Sequence, residues 1–217
     1  MRGSLCVWRL SEKSGYSEND VAYATGMLSR VVAKPTPELL DCAKRVLMYL
    51  YTTRDLGLRY SRADKRVMSG HSDSDWGIRA SISAYVFYLA GAAISYLSKK
   101  QPTIAMSSTE AEIYAASLAG LEAVFLRSLC EDLAPQALAG PTEIGVDNSG
   151  AINQSEDFVA NSRNRHFTRR HLKIRELVED AIVRLRKVHT DDNPSDIFTK
   201  ALSRPLFEKH RKAVLNM

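Results

Sequence analysis

Four acidic residues most strongly constrain what this sequence can fold into. Each lies at the edge of a predicted strand or helix, where a carboxylate can point into a site shared with the others. In chain order they are Asp73, Glu112, Asp147 and Asp196. Two Mg²⁺ ions about 3.5–4 Å apart need about this many carboxylate ligands. The sequence therefore predicts one metal site assembled from four separate segments.

Each of these carboxylates, taken alone, has an ordinary structural explanation. Asp73 can be a turn residue, and the Asp147-Asn148 pair can form the N-cap of a helix. Asp196 can cap or precede the last helix, and Glu112 can simply favour the positive N-terminal end of its own helix. Only their combination indicates a site. Two neighbouring carboxylates rank second as ligands, Asp75 and Glu110.

The hydrophobic periodicity predicts an α/β fold with a five-stranded mixed sheet flanked by helices and an N-terminal helical extension. Residues 17–57 predict two helices, the first capped by Ser17 and the second beginning after Thr36 with Pro37 at its first position. From residue 67 the period changes to two, and a long helix at 108–132 follows a possible capping box of Ser107 and Glu110. The resulting order is βββ-α-β-α-(α)-β-α. The predicted strands are 67–75, 83–90, 92–97, 142–146 and 182–189, and later helices include 166–180 and a terminal one.

Two helices carry apolar stripes that predict their buried faces. In the second N-terminal helix the stripe consists of Leu39, Leu40, Ala43, Val46, Leu47 and Leu50. In the long helix it consists of Tyr114, Leu118, Leu121, Phe125 and Leu129. Between these helices, Ala90-Gly91 predicts a tight hairpin, and residues 98–102 predict a basic turn.

The basic residues are concentrated in one segment. The chain has 30 Lys+Arg and 25 Asp+Glu, a formal net charge of +5. Residues 161–188 alone contain nine basic and three acidic residues. A basic segment beside an acidic metal site suits a polyanionic substrate such as nucleic acid. The alternative is that this segment is only a solvated helix face.

The apolar runs and the cysteines argue against two other classes of protein. No stretch approaches the roughly 18 unbroken apolar residues of a membrane span, and the first ten residues are too interrupted for a signal peptide. The three cysteines, Cys6, Cys42 and Cys130, are far apart and odd in number. They predict reduced thiols in an intracellular protein, with no disulfide partner and no zinc spacing. The apolar runs predict that a membrane is not a partner.

Five motifs surround the four carboxylates. They are His-Ser-Asp-Ser-Asp-Trp at 71–76, the run at 85–112 that ends in Ser-Ser-Thr-Glu-Ala-Glu, Val-Asp-Asn-Ser-Gly-Ala-Ile at 146–152, His-Phe-Thr-Arg-Arg at 166–170 and Ser-Asp-Ile-Phe-Thr-Lys at 195–200. Together they closely resemble the ribonuclease H region of copia-type LTR-retrotransposon Pol polyproteins. Parts of residues 28–60 resemble the stretch that joins reverse transcriptase to ribonuclease H in that family. The resemblance covers about residues 20–210. It implies a helical remnant of the reverse transcriptase C-terminal region at 1–62 and a ribonuclease H-like domain at 63–217.

The resemblance implies a ribonuclease H that uses two metal ions to cleave the RNA strand of RNA–DNA hybrids during reverse transcription. Asp73, Glu112, Asp147 and Asp196 match the family's ligands for two Mg²⁺ ions, with Mn²⁺ as a substitute. Asp73 would bridge both ions, and Asp196 would hold the ion of the attacking water. His189 lies in the loop where other members of the fold place a histidine that helps water movement or product release. The alternative is a loop histidine at a strand end.

The same resemblance suggests which residues contact nucleic acid. Ser108 and Asn148 are candidates for recognising the 2′-OH that separates RNA from DNA. Lys99, Lys100 and Arg170 are candidates for phosphates of the DNA strand, and Lys173 accompanies Arg170 in the basic helix. The implied partners are an RNA–DNA hybrid and the remainder of the Pol polyprotein. The expected location is intracellular, in a cytoplasmic virus-like particle or in the nucleus.

Departures from the family leave a second interpretation open. The loop after Trp76 is a few residues shorter than usual, and Ala84 replaces the usual Gly. The chain has no Tyr-x-Asp-Asp motif, so no polymerase activity is expected from it. The alternative is a catalytically inactive remnant that binds nucleic acid or packs against a polymerase. Integrase and transposase relatives of the fold are not supported, because they place their Glu after the second Asp whereas Glu112 precedes Asp147.

Overall fold

Six α-helices are present in the part of the chain described by the computed structural model, which covers residues 19–64, 67–77, 81–156 and 169–217, without the side chains of 169–171. They are α1 (Ala22–Ser29), α2 (Pro37–Thr52), α3 (Ser108–Leu133), α4 (Ser149–Glu156), α5 (Arg169–Glu179) and α6 (Arg204–Leu215). Short 3₁₀ segments lie at Asn19–Val21, Pro135–Ala137, Thr190–Asp192 and Pro194–Phe198. Ser17, the predicted cap of the first helix, lies outside the described residues. The helix order agrees with the prediction.

Five strands form one mixed sheet in the described part of the chain. They are β1 (Ser69–Asp75), β2 (Ile82–Leu89), β3 (Ala92–Lys100), β4 (Thr142–Val146) and β5 (Val183–Lys187). Their order across the sheet is β3-β2-β1-β4-β5. The first three pair antiparallel, whereas β4 runs parallel to β1 and β5 runs parallel to β4. The predicted five-stranded mixed sheet is confirmed.

The hairpin between β2 and β3 forms where the sequence predicts it. Ala90 and Gly91 both have positive φ, 53° and 93°, as a two-residue turn between twisted strands requires. The predicted end of β3 was too early, since Lys99 and Lys100 continue the ladder opposite Ser83 and Ile82. These lysines therefore lie on a strand and not in a basic turn.

The long helix α3 begins as predicted but buries a different face. The Glu110 N–H donates to the Ser107 hydroxyl at 3.1 Å, and the Glu110 carboxylate accepts from the Met106 N–H at 2.7 Å. The predicted core stripe is wrong for Leu121, Phe125 and Leu129, which are all exposed. The buried face consists mainly of small residues, among them Ala111, Ala115, Ala116, Ala119, Gly120 and Ala123.

Small residues are required on α3 because its neighbours approach closely. A Cβ on Gly120 would lie 2.8 Å from Leu177 Cδ1 and 3.1 Å from Ile174 Cδ1, both on α5. The core on this side of the sheet also includes Phe87 and Ile144. By length and composition α3 could cross a membrane, but more than half of it is buried inside the fold, as in the core helix of a globular domain.

The N-terminal helices pack beside a second, smaller core that contains Val86, Ile197 and Phe198. In α2, Leu50 is buried as predicted, whereas Leu40 is exposed because α2 packs mainly against α1. The cap at Thr36 is confirmed, since its side chain accepts from the Leu39 N–H at 3.4 Å.

Several contacts cross the predicted domain boundary between residues 62 and 63. The Tyr60 hydroxyl donates to the Ala93 carbonyl at 2.7 Å, and the Asn216 amide donates to the Arg59 carbonyl at 2.7 Å. The Tyr49 hydroxyl contacts both Asp20 and Arg211, which joins α2 to α6. The two predicted parts are therefore packed against each other. The position of the boundary between them stays a prediction.

Candidate active site

β1 brings Asp73 to one end of the sheet with its side chain buried. The Thr199 hydroxyl donates to Asp73 Oδ2, and the Lys200 ammonium lies 3.9 Å from the same oxygen. Asp75, two residues further along the strand on the same face, is only partly buried. Asp73 is therefore the carboxylate of this pair that is fixed in the interior.

The first turns of α3 place Glu112 beside the end of β1. Its Oε1 accepts two hydrogen bonds from Ser74, from the N–H at 3.1 Å and from the hydroxyl at 3.0 Å. Its Oε2 is buried and accepts no hydrogen bond from any described residue. Glu110 faces elsewhere and caps the start of the helix, as expected for helical residues two apart. One oxygen of Glu112 is thus anchored, and the other is left without a partner.

Asp147 directly follows β4, at the same end of the sheet. The Thr190 hydroxyl donates to Asp147 Oδ2 at 2.9 Å, and the Lys187 ammonium donates to the Asp147 carbonyl. Both donors come from the end of β5 and the turn after it. One carboxylate oxygen from each of Asp73, Glu112 and Asp147 lies within 4.8 Å of the other two.

Asp196 lies in the 3₁₀ segment Pro194–Phe198, and its side chain is 1% exposed. Its Oδ2 is 2.8 Å from the ammonium of Lys200, the same lysine that approaches Asp73. Asn193 fixes this segment to the sheet, because its side-chain amide donates to the Ser72 carbonyl at 2.9 Å. Asp196 therefore joins the site on the side of Asp73.

Burial and mutual repulsion raise the pKa values of these carboxyl groups. Burial raises the pKa of Glu112 well above its usual range, and the negative charges of Asp73 and Asp147 raise it further. Burial and the charge of Asp73 raise the pKa of Asp196 to about 7. Burial also raises the pKa of Asp73, against the opposing effect of Lys200. Clustered oxygen ligands with an unpartnered, buried Glu112 oxygen are what a hard divalent cation such as Mg²⁺ requires.

This repulsion predicts how the stability of the metal-free protein depends on pH. A carboxyl group whose pKa is raised in the fold stabilises it below the unfolded pKa near 4, and this stabilisation is lost as the pH rises through about 7. Asp196→Asn removes that dependence. In EDTA, the free energy of unfolding of the variant minus that of the wild type is therefore expected to increase by about 1–3 kcal/mol from pH 5 to pH 8. Urea unfolding of both proteins at both pH values measures this difference. The opposite pH dependence that comes from His71 and His210, whose pKa values are lowered by burial, is common to both proteins and cancels. A constant difference would contradict the raised pKa.

His189 lies at the surface between β5 and the Thr190–Asp192 turn. Its side chain is 74% exposed, and its Nδ1 accepts from the Asp191 N–H at 3.3 Å. The neighbouring Thr190, which the sequence interpretation did not single out, is the residue that contacts Asp147. A catalytic role for His189 stays a prediction.

The predicted nucleic-acid contacts occupy several different positions. Lys99 and Lys100 are exposed at the end of β3, level with Ser74 and Asp75 across the sheet. Ser108 is exposed at the first position of α3. The Asn148 side chain accepts from the Ala151 N–H at 3.0 Å and so caps α4. Lys173 pairs with Glu176 at 2.8 Å. The side chain of Arg170 is not among the described ones. Residues 161–168 of the basic segment also lie outside them.

Four residues that orient the carboxylates were missed from the sequence, namely Ser74, Thr190, Thr199 and Lys200. Thr199 and Lys200 lie in the Asp-Ile-Phe-Thr-Lys motif, three and four residues after Asp196. In a helical turn, this spacing returns a side chain to the same face. That signal was present in the motif. Nothing in the sequence around Ser74 or Thr190 indicates their partners.

The sheet topology and the carboxylates together define an α/β protein with a ribonuclease H-like fold. Three antiparallel strands precede the long helix, and two parallel strands follow it. Two solved structures show similarity to it, the N-terminal RNase H domain of a Mycobacterium tuberculosis protein and LC11-RNase H1 in complex with an RNA/DNA hybrid. The first has a TM-score of 0.47 and 10% identity, and the alignment covers 69% of this chain and 99% of that one. The second has a TM-score of 0.44 and 12% identity, with 61% and 93% covered.

Alignments over nearly the whole chain identify the family. The chain is 32% identical over 199 residues to the Pol polyprotein of transposon TNT 1-94 from Nicotiana tabacum, and 33% identical over 197 residues to that of transposon RE1 from Arabidopsis thaliana. These alignments cover 90% and 89% of this chain but only 15% and 13% of those polyproteins. The chain belongs to the copia-type retrotransposon Pol polyproteins.

A shorter alignment pairs about half of the chain with a differently named protein. Secreted RxLR effector protein 161 of Plasmopara viticola is 45% identical over 111 residues, which is 49% of this chain and 78% of that protein. No family model matches the chain. The family assignment rests on the long alignments to the Pol polyproteins.

Proposed function

We propose that this chain is a metal-dependent ribonuclease H that cleaves the RNA strand of RNA–DNA hybrids during retrotransposon reverse transcription, as part of a Pol polyprotein. The observation that supports this most is the convergence of Asp73, Glu112 and Asp147, with one buried Glu112 oxygen unpartnered among described residues. Membership of the Pol family supports the same activity. The proposed location is inside the cell, in a cytoplasmic particle or the nucleus.

The proposed cofactors are two Mg²⁺ ions, for which Mn²⁺ can substitute. When bound, such ions activate a water for in-line attack on the phosphate and stabilise the leaving 3′ oxygen. Asp73, Glu112 and Asp147 would hold metal on one side of the site, and Asp196 would contribute on the other. Ser74 keeps Glu112 aimed inward, and Thr190 does the same for Asp147. This anchoring reduces the ordering needed when an ion binds.

The proposed substrate is an RNA–DNA hybrid, and the proposed partner is the remainder of the Pol polyprotein. Ser108, Asn148, Arg170 and Lys173 remain candidate contacts, as do Lys99 and Lys100, which are level with Ser74 and Asp75 across the sheet. Incubating the chain with end-labelled hybrid, RNA duplex and DNA duplex of one sequence tests the substrate. Cleavage restricted to the RNA of the hybrid supports the proposal, and equal cleavage of RNA duplex contradicts it.

Lys99 and Lys100 give a prediction for binding. Changing both to Ala removes two cations that are exposed at the end of β3. The slope of log affinity against log salt is expected to fall in magnitude by about 1–2, because each lost phosphate contact releases about one counterion fewer. Fluorescence anisotropy with a labelled hybrid in EDTA measures this slope. Lys34→Ala with Lys44→Ala removes two exposed lysines from the N-terminal helical region and should leave the slope unchanged. An unaltered slope for the first pair would exclude β3 from the interface.

A noncatalytic module that packs against a polymerase is the second candidate. It is favoured by the apolar surface of α2, where Leu40, Met48 and Tyr51 are exposed. Exposed apolar residues grouped on one element are typical of a protein–protein contact. If the wild-type chain binds the RNA–DNA hybrid but cleaves none of the three labelled substrates, this second function is favoured.

A further inference from the structure

The Lys200 side chain lies between two buried carboxylates. Its ammonium is 2.8 Å from Asp196 Oδ2 and 3.9 Å from Asp73 Oδ2. Both acidic side chains are almost completely buried, whereas the lysine side chain is 35% exposed. The lysine therefore places a positive charge inside the site while its stem can still move toward solvent.

The two sides of the site differ in how their charge is balanced. Asp73, Glu112 and Asp147 bring oxygens within 4.8 Å of one another, and the buried Glu112 oxygen receives no hydrogen bond from a described residue. Asp196 faces Asp73 and also has a buried oxygen, Oδ1, that accepts no hydrogen bond from a described residue, but its Oδ2 already has the ammonium of Lys200 beside it at 2.8 Å. The side formed by Asp73, Glu112 and Asp147 is thus a pocket into which a cation can bind. The side formed by Asp73 and Asp196 already holds a positive charge, the ammonium of Lys200.

A divalent ion on the second side would have to replace this ammonium. Mg²⁺ binds carboxylate oxygens at about 2.0–2.1 Å. It would therefore bind the same Asp196 oxygen that the Lys200 ammonium now approaches to 2.8 Å, and at a shorter distance. Two cations that share these ligands repel each other strongly in a partly buried site. Because the Lys200 side chain is 35% exposed, the ammonium has a route out of the site toward solvent.

We propose that Lys200 competes with the second metal ion, so that the two ions bind with unequal affinity and Lys200 sets the metal concentration at which the second site fills. Without metal, the lysine stabilises the Asp73–Asp196 pair. The proposal rests on the metal-dependent function proposed above. Lys200 acts here as a positioning residue, through the carboxylates and not through the substrate.

Titration of the full chain with Mn²⁺, with free ion counted by electron paramagnetic resonance, tests the proposal. The wild type is expected to bind one ion more tightly than the second. Lys200→Met is expected to tighten the second site about tenfold, because the competing charge is gone. Lys200→Arg keeps that charge and should not tighten the second site. In EDTA, Lys200→Met should also unfold at a lower temperature than the wild type, and Mn²⁺ should raise its unfolding temperature by more.

Lys44→Met is the matched control, since this exposed lysine pairs only locally with the exposed Asp41 of α2, at 2.9 Å. It should leave both ion affinities unchanged. A second-site affinity that is equal or weaker in Lys200→Met than in the wild type overturns the proposal while the first site stands. Tightening in Lys200→Arg as well would also overturn it. Failure of the wild type to bind any ion would overturn the proposed function itself.

Discussion

Glu112→Gln is expected to reduce Mg²⁺-dependent cleavage of an RNA–DNA hybrid by more than about 100-fold. The same change should stabilise the metal-free protein by about 1–2 kcal/mol at pH 8. The amide keeps an oxygen for the two hydrogen bonds from Ser74 but removes a buried charge that Asp73 and Asp147 repel. Cleavage of a labelled hybrid and urea unfolding in EDTA measure the two effects. Opposite signs for activity and stability distinguish a functional carboxylate from a structural one.

Glu110→Gln is the matched control for this experiment. Glu110 is in the same turn of α3, but its carboxylate accepts from the Met106 N–H and caps the helix. Its substitution should change cleavage by no more than about twofold. Equal loss of activity in the two variants would show that the helix does not direct Glu112 alone into the site.

Gly120→Leu is expected to destabilise the protein by about 2–3 kcal/mol. The first atom of any side chain there would meet Leu177 and Ile174, which belong to the packed face of α5. Phe125→Ala removes a large side chain from the exposed face of the same helix, where Phe125 is 57% exposed. It should cost less than about 1 kcal/mol.

Urea unfolding of both variants with metal absent ranks the two faces of α3. A larger loss from Phe125→Ala than from Gly120→Leu would show that the apolar stripe is the true packing face. The packing described above would then be wrong.

The error about α3 shows what periodicity cannot decide. Its two faces are both compatible with burial, one rich in Leu and Phe and the other rich in Ala and Gly. Hydrophobicity favours the first, but the closeness of α5 admits only the second. Such proximity depends on partners distant in the sequence. The Ala90-Gly91 hairpin and the Thr36 cap were predictable, because each depends on adjacent residues and local backbone geometry.

In the candidate site, too, the features carried by sequence motifs were predictable and the contacts between distant residues were not. The resemblance supplied four carboxylates. In the structure, oxygens of three of them lie within 4.8 Å of one another, and the fourth, Asp196, shares the Lys200 ammonium with Asp73. The hydrogen bonds of Ser74 to Glu112 and of Thr190 to Asp147 link residues 38 and 43 positions apart. Contacts of that range follow from the packing of strand ends and are not visible in the sequence. Lys200 was predictable in principle, because it lies four residues after Asp196 in one motif.

Mg²⁺-dependent cleavage of an RNA–DNA hybrid labelled on the RNA strand tests the central claim most directly. The wild-type chain should produce fragments with 5′-phosphate and 3′-hydroxyl ends when Mg²⁺ is present, and none in EDTA. Adding Mg²⁺ back should restore cleavage, and Glu112→Gln should remain inactive throughout. Cleavage that persists in EDTA, or intact hybrid with the folded wild type at saturating Mg²⁺, would contradict the assignment of these four carboxylates as a metal-dependent nuclease site.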